Sequence, residues 1–513
     1  MNAKLLYERL RFIHFVVRHR SLKTAFSLII LWCLFCSSAF GQENVGENVN
    51  EYVISFPSEN RNIAMVSAKL KLKDSVIKMA AWGHPWLPNG WATFVTNLKV
   101  QSAKGKPIEY SIIEKEGWGS WRVDGKDGTA LSISYQVNFN HHEYDWNPAG
   151  GIDSRPEVTD TAHFLVTKAL FIYSPGTEAS SVQFEIPENW KIATNWDQVT
   201  PKKYYVDSWI NLVNNSLVLG DFYKQKISNG PMDLIIAVES KLENHNEWFV
   251  DILQKQLNEF SRIFQGTPDR NYLVSIRSAD EDDGESFHDS FNQVVTSDGI
   301  ERRLIVWANT MAHEMFHYWN GANFLVGDNL NDLYWFSEGF TEYYASLSLL
   351  RTGVIDKETY FRKVEHYLTR YFISKKMWPE KPVSLVHAGD EKGKNWLFLY
   401  GGGATMALFF DIEIRRLKKG QKSLDDVMFL LKEKYGLKNK KINNSHVLEA
   451  LNEVAGTDFT KEFEQFVEGT ESYLNLKDVF FNAGLYLDSF SDEMFISEIN
   501  EENNSIFRQM ISN

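Results

Sequence analysis

The sequence predicts an α+β protein, with an antiparallel β-rich domain first and helices dominating the rest. Two observations carry that prediction. From about Glu51 to Phe222, short alternating or apolar runs recur between turn signals. From Asn246 onward, apolar residues recur instead at helical spacing. A third observation bounds the answer: 43% hydrophobic and 14% aromatic residues in a chain of 513 exclude a mostly disordered protein and allow a sizeable core.

In the β-rich part the expected strands include AMVSAKLKL (64–72), ALSISYQVNF (130–139), HFLVTKALFIY (163–173) and SVQFEIP (181–187). Pro88-Asn89-Gly90, Asp124-Gly125, Pro148-Ala149-Gly150-Gly151 and Pro175-Gly176 mark turns between strands. Trp82, Trp86, Trp91, Trp118 and Trp121 crowd one part of this region, where packing is the expected role rather than an exposed aromatic platform. The boundary falls near 222–242, with Ser228-Asn229-Gly230-Pro231 as a loop. Domains are expected at 42–235, 236–436 and 437–513. Beyond it, helical patterns cover 246–264, 302–319, 337–351, 357–371, 404–417, 423–434 and 445–454, with YLVSIR (272–277) as a strand.

Residues 1–24 carry Lys4, Arg9, Arg11, Arg18, Arg20 and Lys23 against the single acid Glu8, and an apolar run from Ala25 to Phe40 follows. Basic flank, apolar run and the small residues near Ala39 and Gly41 make residues 1–41 a signal peptide, cut after Gly41. The run is short of the roughly 20 residues a spanning helix needs, and an uncleaved anchor is the alternative. The protein is expected in the periplasm or outside the cell, with a membrane partner only if that segment stays attached. Cys33 and Cys36 both fall in this segment, so no disulfide framework or cysteine-held metal is available later. A formal charge of −13 and the absence of a basic tract give nucleic acid no foothold.

The chemistry concentrates in NTMAHEMFHYWN (309–320). His313 and His317 lie four apart on a predicted helix, so both rings leave one face and reach a single metal ion. Neutral imidazoles suit zinc, and a catalytic zinc takes three protein ligands and keeps a fourth position open. Glu314 sits beside that open position as a general base for the attacking water. A second helix start, YWFSEGFTEYY (334–344), offers Ser337 as N-cap and Glu338 as third ligand. Glu342, one turn on, is placed to fix a ligand histidine through the ring's other nitrogen. Tyr400, in LFLYGGGATMALFF, precedes a helix and is loosened by three glycines. Composition alone does not select it from 21 tyrosines.

HEMFHYWN, LYWFSEGFTEYYA, LYGGGATMALFFDIEIRRLKKGQKSLDDVM and VAGTDFTKEFEQFVEGTESYLNLKDVFFNAGL together resemble the glycyl aminopeptidase family of zinc metallopeptidases. The resemblance spans about residues 50–484, weaker in the β half. It implies an N-terminal β domain, a thermolysin-like zinc catalytic domain and a trailing helical part. It also implies one zinc ion held by His313, His317 and Glu338, with Glu314 as base and a peptide as substrate. Tyr400 matches the tyrosine of the family's Y-x-K-G motif, which implies an oxyanion donor.

Three departures accompany the resemblance. Gly402 replaces the lysine of Y-x-K-G. About 28 residues follow the Ala483–Leu485 segment, too few for the PDZ domain that relatives commonly carry there. The family's G-G-L-E-H segment becomes Gly284-Glu285-Ser286-Phe287-His288, so the acid that grips a substrate amine falls at Phe287. Gly284, Glu285 and His288 are the substrate-binding candidates. Either a neighbouring acid from Asp280-Glu281-Asp282-Asp283 takes over the amine, or the anchor is gone. The expected activity is therefore an aminopeptidase, with a zinc endopeptidase or a catalytically silent peptide-binding relative as alternatives.

Overall fold

The computed structural model describes residues 49–79, 87–113, 119–141, 154–176, 179–377, 382–438, 440–470, 474–499 and 505–512. Residues 1–41, expected as a signal peptide, the turn expected at 148–151, and Trp82, Trp86 and Trp118 lie outside them. The compact unit Asn50–Asn513 is α+β throughout.

Its first part is a β domain built on a seven-stranded sheet and two four-stranded sheets. The long strands Ile63–Lys71 and Ala130–Asn138 pair antiparallel and bury every second residue, as their alternating sequences require. One pair departs from the expected antiparallel pattern: Asn50–Ser55 runs parallel to Ser180–Glu185. Trp91 and Trp121 are buried in this domain's core, which is the packing role expected of them.

The run HFLVTKALFIY does not form a single strand. It divides into Ala162–Val166 and Ile172–Tyr173, which belong to different sheets, with a 3-10 turn at Thr167–Ala169 between them. All residues from Ala162 to Tyr173 are buried, so the apolar run satisfies a crossing between sheets as well as it would a strand. The crossing carries Lys168 into the interior with its neighbours.

A five-stranded mixed sheet follows. Tyr223–Asn229 and Met232–Val238 form an antiparallel hairpin, and the loop expected at Ser228–Pro231 is its turn. Tyr272–Ala279 and Ser290–Thr296 add in parallel, and Asp283–Ser286 closes the sheet as a short antiparallel edge strand. The two parts meet through a small apolar cluster that includes Phe164, Val218, Phe222, Ile235 and Leu273.

Helices cover the sheet and continue to the C terminus. Four matter for the site. The histidine helix is Leu304–Phe316, the glutamate helix Leu330–Arg351, the next helix Lys357–Met377, and the tyrosine helix Lys392–Leu417. Their core is continuous with that of the final helices and of the hairpin Leu485–Phe490/Glu493–Glu498, which interrupts the mostly helical C-terminal region.

Two helix starts differ from expectation. The glutamate helix begins at Leu330, capped by the Asn329 side chain accepting from the Asn331 N–H, so Ser337 lies two turns inside it. The tyrosine helix begins at Lys392 and runs straight through Gly401, Gly402 and Gly403. Each glycine costs a helix about 1 kcal/mol relative to alanine. That cost is offset here by close approach: Gly403 abuts Gly339 and Trp335, Gly402 abuts Leu385 and Phe398, and Gly401 abuts Arg370 and Tyr367. The glycines are a packing seam, and they do not loosen Tyr400. A lysine at position 402 would meet Leu385 and Phe398, so the Gly402 departure follows from apolar packing.

Candidate active site

The histidine helix ends at Phe316, yet His317 keeps helical dihedrals as its C-cap and donates its N–H to the His313 carbonyl. The i, i+4 geometry therefore survives, and the two Nε2 atoms stand 3.1 Å apart. Glu338 comes in from the glutamate helix with Oε2 at 3.2 Å from His313 Nε2 and 3.4 Å from His317 Nε2. These three side chains are a group able to hold a metal ion. A tetrahedral ion with bonds of about 2.0–2.1 Å would set its donors about 3.3 Å apart. The observed triangle matches that spacing on all three edges.

Each imidazole is oriented from behind. His313 Nδ1 is 3.0 Å from Glu342 Oε2, and His317 Nδ1 is 3.0 Å from the Asn320 carbonyl oxygen. Such partners fix the tautomer and leave Nε2 free for the ion. Glu342 is held in turn by Asn309 Nδ2 at 3.2 Å and Lys363 Nζ at 3.4 Å. Burial disfavours its charge, but Lys363 and His313 outweigh that and hold the carboxyl well below the usual range. Burial likewise works against a charged His313, yet its bonds with Glu338 and Glu342 raise the ring to about 10 in the protein alone.

Glu314 lies on the same helix, partly exposed and directed to the edge strand. The fit between them is close: a Cβ on Gly284 would stand 2.6 Å from Thr310 Cγ2 and 3.2 Å from Glu314 Cγ. Only glycine lets the strand pass so near. Ser286, two residues along and on the same face, donates a hydrogen bond to Glu314. Burial raises the Glu314 pKa, with the two histidines acting in the other direction.

Tyr400 closes the site from the tyrosine helix. Its ring lies parallel to that of His313, centroids 5.7 Å apart and 7° between planes, and its hydroxyl hydrogen-bonds Glu338. Burial first, then Glu338 and Glu314, push its pKa well above 10.

A residue the sequence reading missed joins these. Lys392 Nζ is 2.6 Å from Glu338 Oε1, the oxygen facing away from the imidazoles, and 4.4 Å from the Tyr334 ring centre. Lys392, Trp396 and Tyr400 stand at i, i+4 and i+8. The helical pattern read from the sequence begins at Ala404, which leaves Lys392 outside the helix that carries it.

The substrate-binding candidates are divided. Gly284 is at the cluster, and Glu285 is on the opposite face of the edge strand. His288 is apart from it, in the turn that clamps this strand to the β domain. There the His288 N–H donates to the Asn214 carbonyl, and the Asp289 N–H and Ser290 hydroxyl both donate to Asn215 Oδ1. Phe287 is buried and packs with the β-domain core. Of the acids before it, Asp283 belongs to the edge strand two residues from Glu285, and burial, with Glu285 and Glu281 adding to it, raises its carboxyl pKa. Asp282 pairs with Arg303 and accepts from the Thr296 N–H. Asp280 and Glu281 line a separate cavity of about 600 Å³ with Arg155, Lys241 and Arg277.

Compared with known proteins, residues 51–221 match the Peptidase M61 N-terminal domain and residues 306–383 match M61 glycyl aminopeptidase. No curated protein matches the chain. Among solved structures, an aminopeptidase N family protein from Idiomarina loihiensis is similar in fold, with a TM-score of 0.69 and 17% identity over 86% of this chain and 79% of that one. The second family match contains His313, Glu314, His317 and Glu338 together, and it follows the family's own N-terminal domain in order. Those two matches, in that order along the chain, are to the two domains described for M61 peptidases.

Proposed function

We propose that this protein is a zinc metallopeptidase. The observation that carries the reading is the triangle of His313, His317 and Glu338 with Glu314 beside it. Zinc bound there would supply a Lewis acid that acidifies water and polarises the scissile carbonyl. Glu314 takes the proton from the attacking water and hands it to the leaving amine. Its raised pKa, closer to neutrality, suits it to both transfers. The Tyr400 hydroxyl, held protonated by its surroundings, donates to the oxyanion of the tetrahedral intermediate. The edge strand Asp283–Ser286 has no further strand on its outer side among the described residues, so an extended peptide pairs there and passes over Glu314.

Removal of N-terminal residues is the specificity the family's description carries. A specific observation favours a second reading, cleavage within the chain. Phe287 occupies the place of an amine-gripping acid. Glu285, the acid next to it, already has the Lys168 ammonium at 3.9 Å. We also infer export directed by residues 1–41, from their basic flank and apolar run.

The test is mass spectrometry of a mixed peptide library incubated with the zinc-loaded protein and with its Glu314→Gln variant. Stepwise loss of N-terminal residues, absent in the variant, supports an aminopeptidase. Internal cuts support the second reading. An untouched library with zinc present would refute the peptidase reading.

A further inference from the structure

Lys168 is the feature the peptidase chemistry leaves unexplained. Its side chain is only 7% exposed, at the 3-10 turn where the β domain faces the edge strand. Its ammonium stands 5.6 Å from the Trp91 ring centre and 5.1 Å from that of Phe287. Among the described residues its one anion is Glu285, and 3.9 Å is beyond hydrogen-bond distance. An ammonium has three donors, and burying it without acceptors is costly. Two aromatic faces compensate in part, since a cation over a ring is attracted to its π face. The arrangement resembles a prepared cradle more than a structural ion pair, which would place the oxygen near 2.8 Å.

Its location says what the cradle meets. Gly284 and Ser286 face Glu314, so Glu285 between them faces the other way, toward Lys168. A peptide laid antiparallel along the outer side of this strand places the residue opposite Glu285 with its side chain on the Glu285 face. Because the peptide then runs opposite to Gly284→Phe287, that end of the strand meets the amino-terminal side of the scissile bond. A substrate ammonium arriving there meets a Glu285 already balanced by Lys168. A carboxylate meets an ammonium that makes no hydrogen bond among the described residues, its one ion-pair partner standing 3.9 Å away.

We infer that Lys168, with Trp91 and Phe287 as its walls, forms an anion subsite that selects an acidic side chain, aspartate or glutamate, on the amino-terminal side of the cleaved bond. This rests on the second reading, cleavage within the chain, for its substrate, but binding tests it separately from turnover. The zinc-loaded Glu314→Gln protein is titrated with two N-acetylated, C-amidated, alanine-rich decapeptides differing by one central Glu or Gln. The Glu peptide is expected to bind about tenfold more tightly, the effect of one charge-assisted hydrogen bond. Adding Lys168→Met removes the difference. Adding Lys168→Glu reverses it in favour of a Lys-containing peptide, which a purely structural lysine would not do. Thermal unfolding checks that both variants fold.

Equal binding of the two peptides, binding of neither, or a preference that survives Lys168→Met overturns the subsite. Selective binding by this protein together with an untouched library for the unsubstituted one would leave the subsite standing and refute the peptidase reading.

Discussion

Gly339 and Gly403 meet backbone to backbone where the glutamate and tyrosine helices cross, and a Cβ on either would overlap the Cα of the other. This contact sets the site's dimensions. Glu338 precedes one glycine directly, and Tyr400 lies three residues, nearly one turn, before the other. The approach of the two helices therefore fixes how near the carboxylate and phenol come to His313.

Gly403→Ala is expected to destabilise the protein by about 3 kcal/mol, the upper end for overpacking, because the obstacles are backbone atoms that cannot rotate away. Thermal unfolding should fall by about 3 °C, and zinc should bind more weakly as Glu338 is pushed out of line. Gly393→Ala, in the same helix but facing open space, is the control. It should be neutral or slightly stabilising, because alanine is the better helix former. If the two variants unfold at the same temperature, the crossing does not have this role.

A metal ion held by the triangle would compete with the His313 proton, which gives a pH prediction with a definite sign. In the metal-free protein this ring's pKa is raised from about 6.5 to about 10. Its contribution to stability is thus complete below about pH 6.5 and lost as pH rises through 10. Zinc needs the neutral ring, so its affinity should climb about tenfold per pH unit from 7 to 9, with one proton released per ion. Chelator competition at several pH values measures this. In Glu342→Gln one source of the raised pKa is gone, so the climb should level off at a lower pH. A wild-type affinity that does not change from pH 7 to 9 would contradict the account.

How legible this was in the sequence depended on where each residue's partners lie. His313, Glu314 and His317 were readable because their relation is covalent: four residues of helix bring both rings to one face whatever surrounds them. Glu338 followed from needing a third ligand on a second helix. Tyr400 is marked only by a family motif, and its local setting is hidden because three glycines in water would break a helix, whereas in a close crossing they permit one. Lys168 gave no signal. A lysine in a buried apolar run looks like a strand's solvent-facing residue until the chain is seen to change sheets beneath it.

Lys392 carries the last prediction. Burial would raise the pKa of Glu338, but the Lys392 charge, together with the bonds to both histidines, holds it well below the ordinary carboxylate value. A carboxyl with a depressed folded pKa adds stability that is present above about pH 4.5 and lost as pH falls through that folded value. Lys392→Met removes the principal charge holding it down, so the loss should begin at higher pH. The acid-unfolding midpoint of the EDTA-treated variant should therefore shift upward. Breaking a fully buried pair costs about 3–5 kcal/mol. Lys392 is 36% exposed, so water takes up part of the loss and about 1–2 kcal/mol is expected at pH 7. Acid titration followed by tryptophan fluorescence compares the two proteins. Coincident midpoints would mean that Lys392 rests on Glu338 without shaping its ionisation.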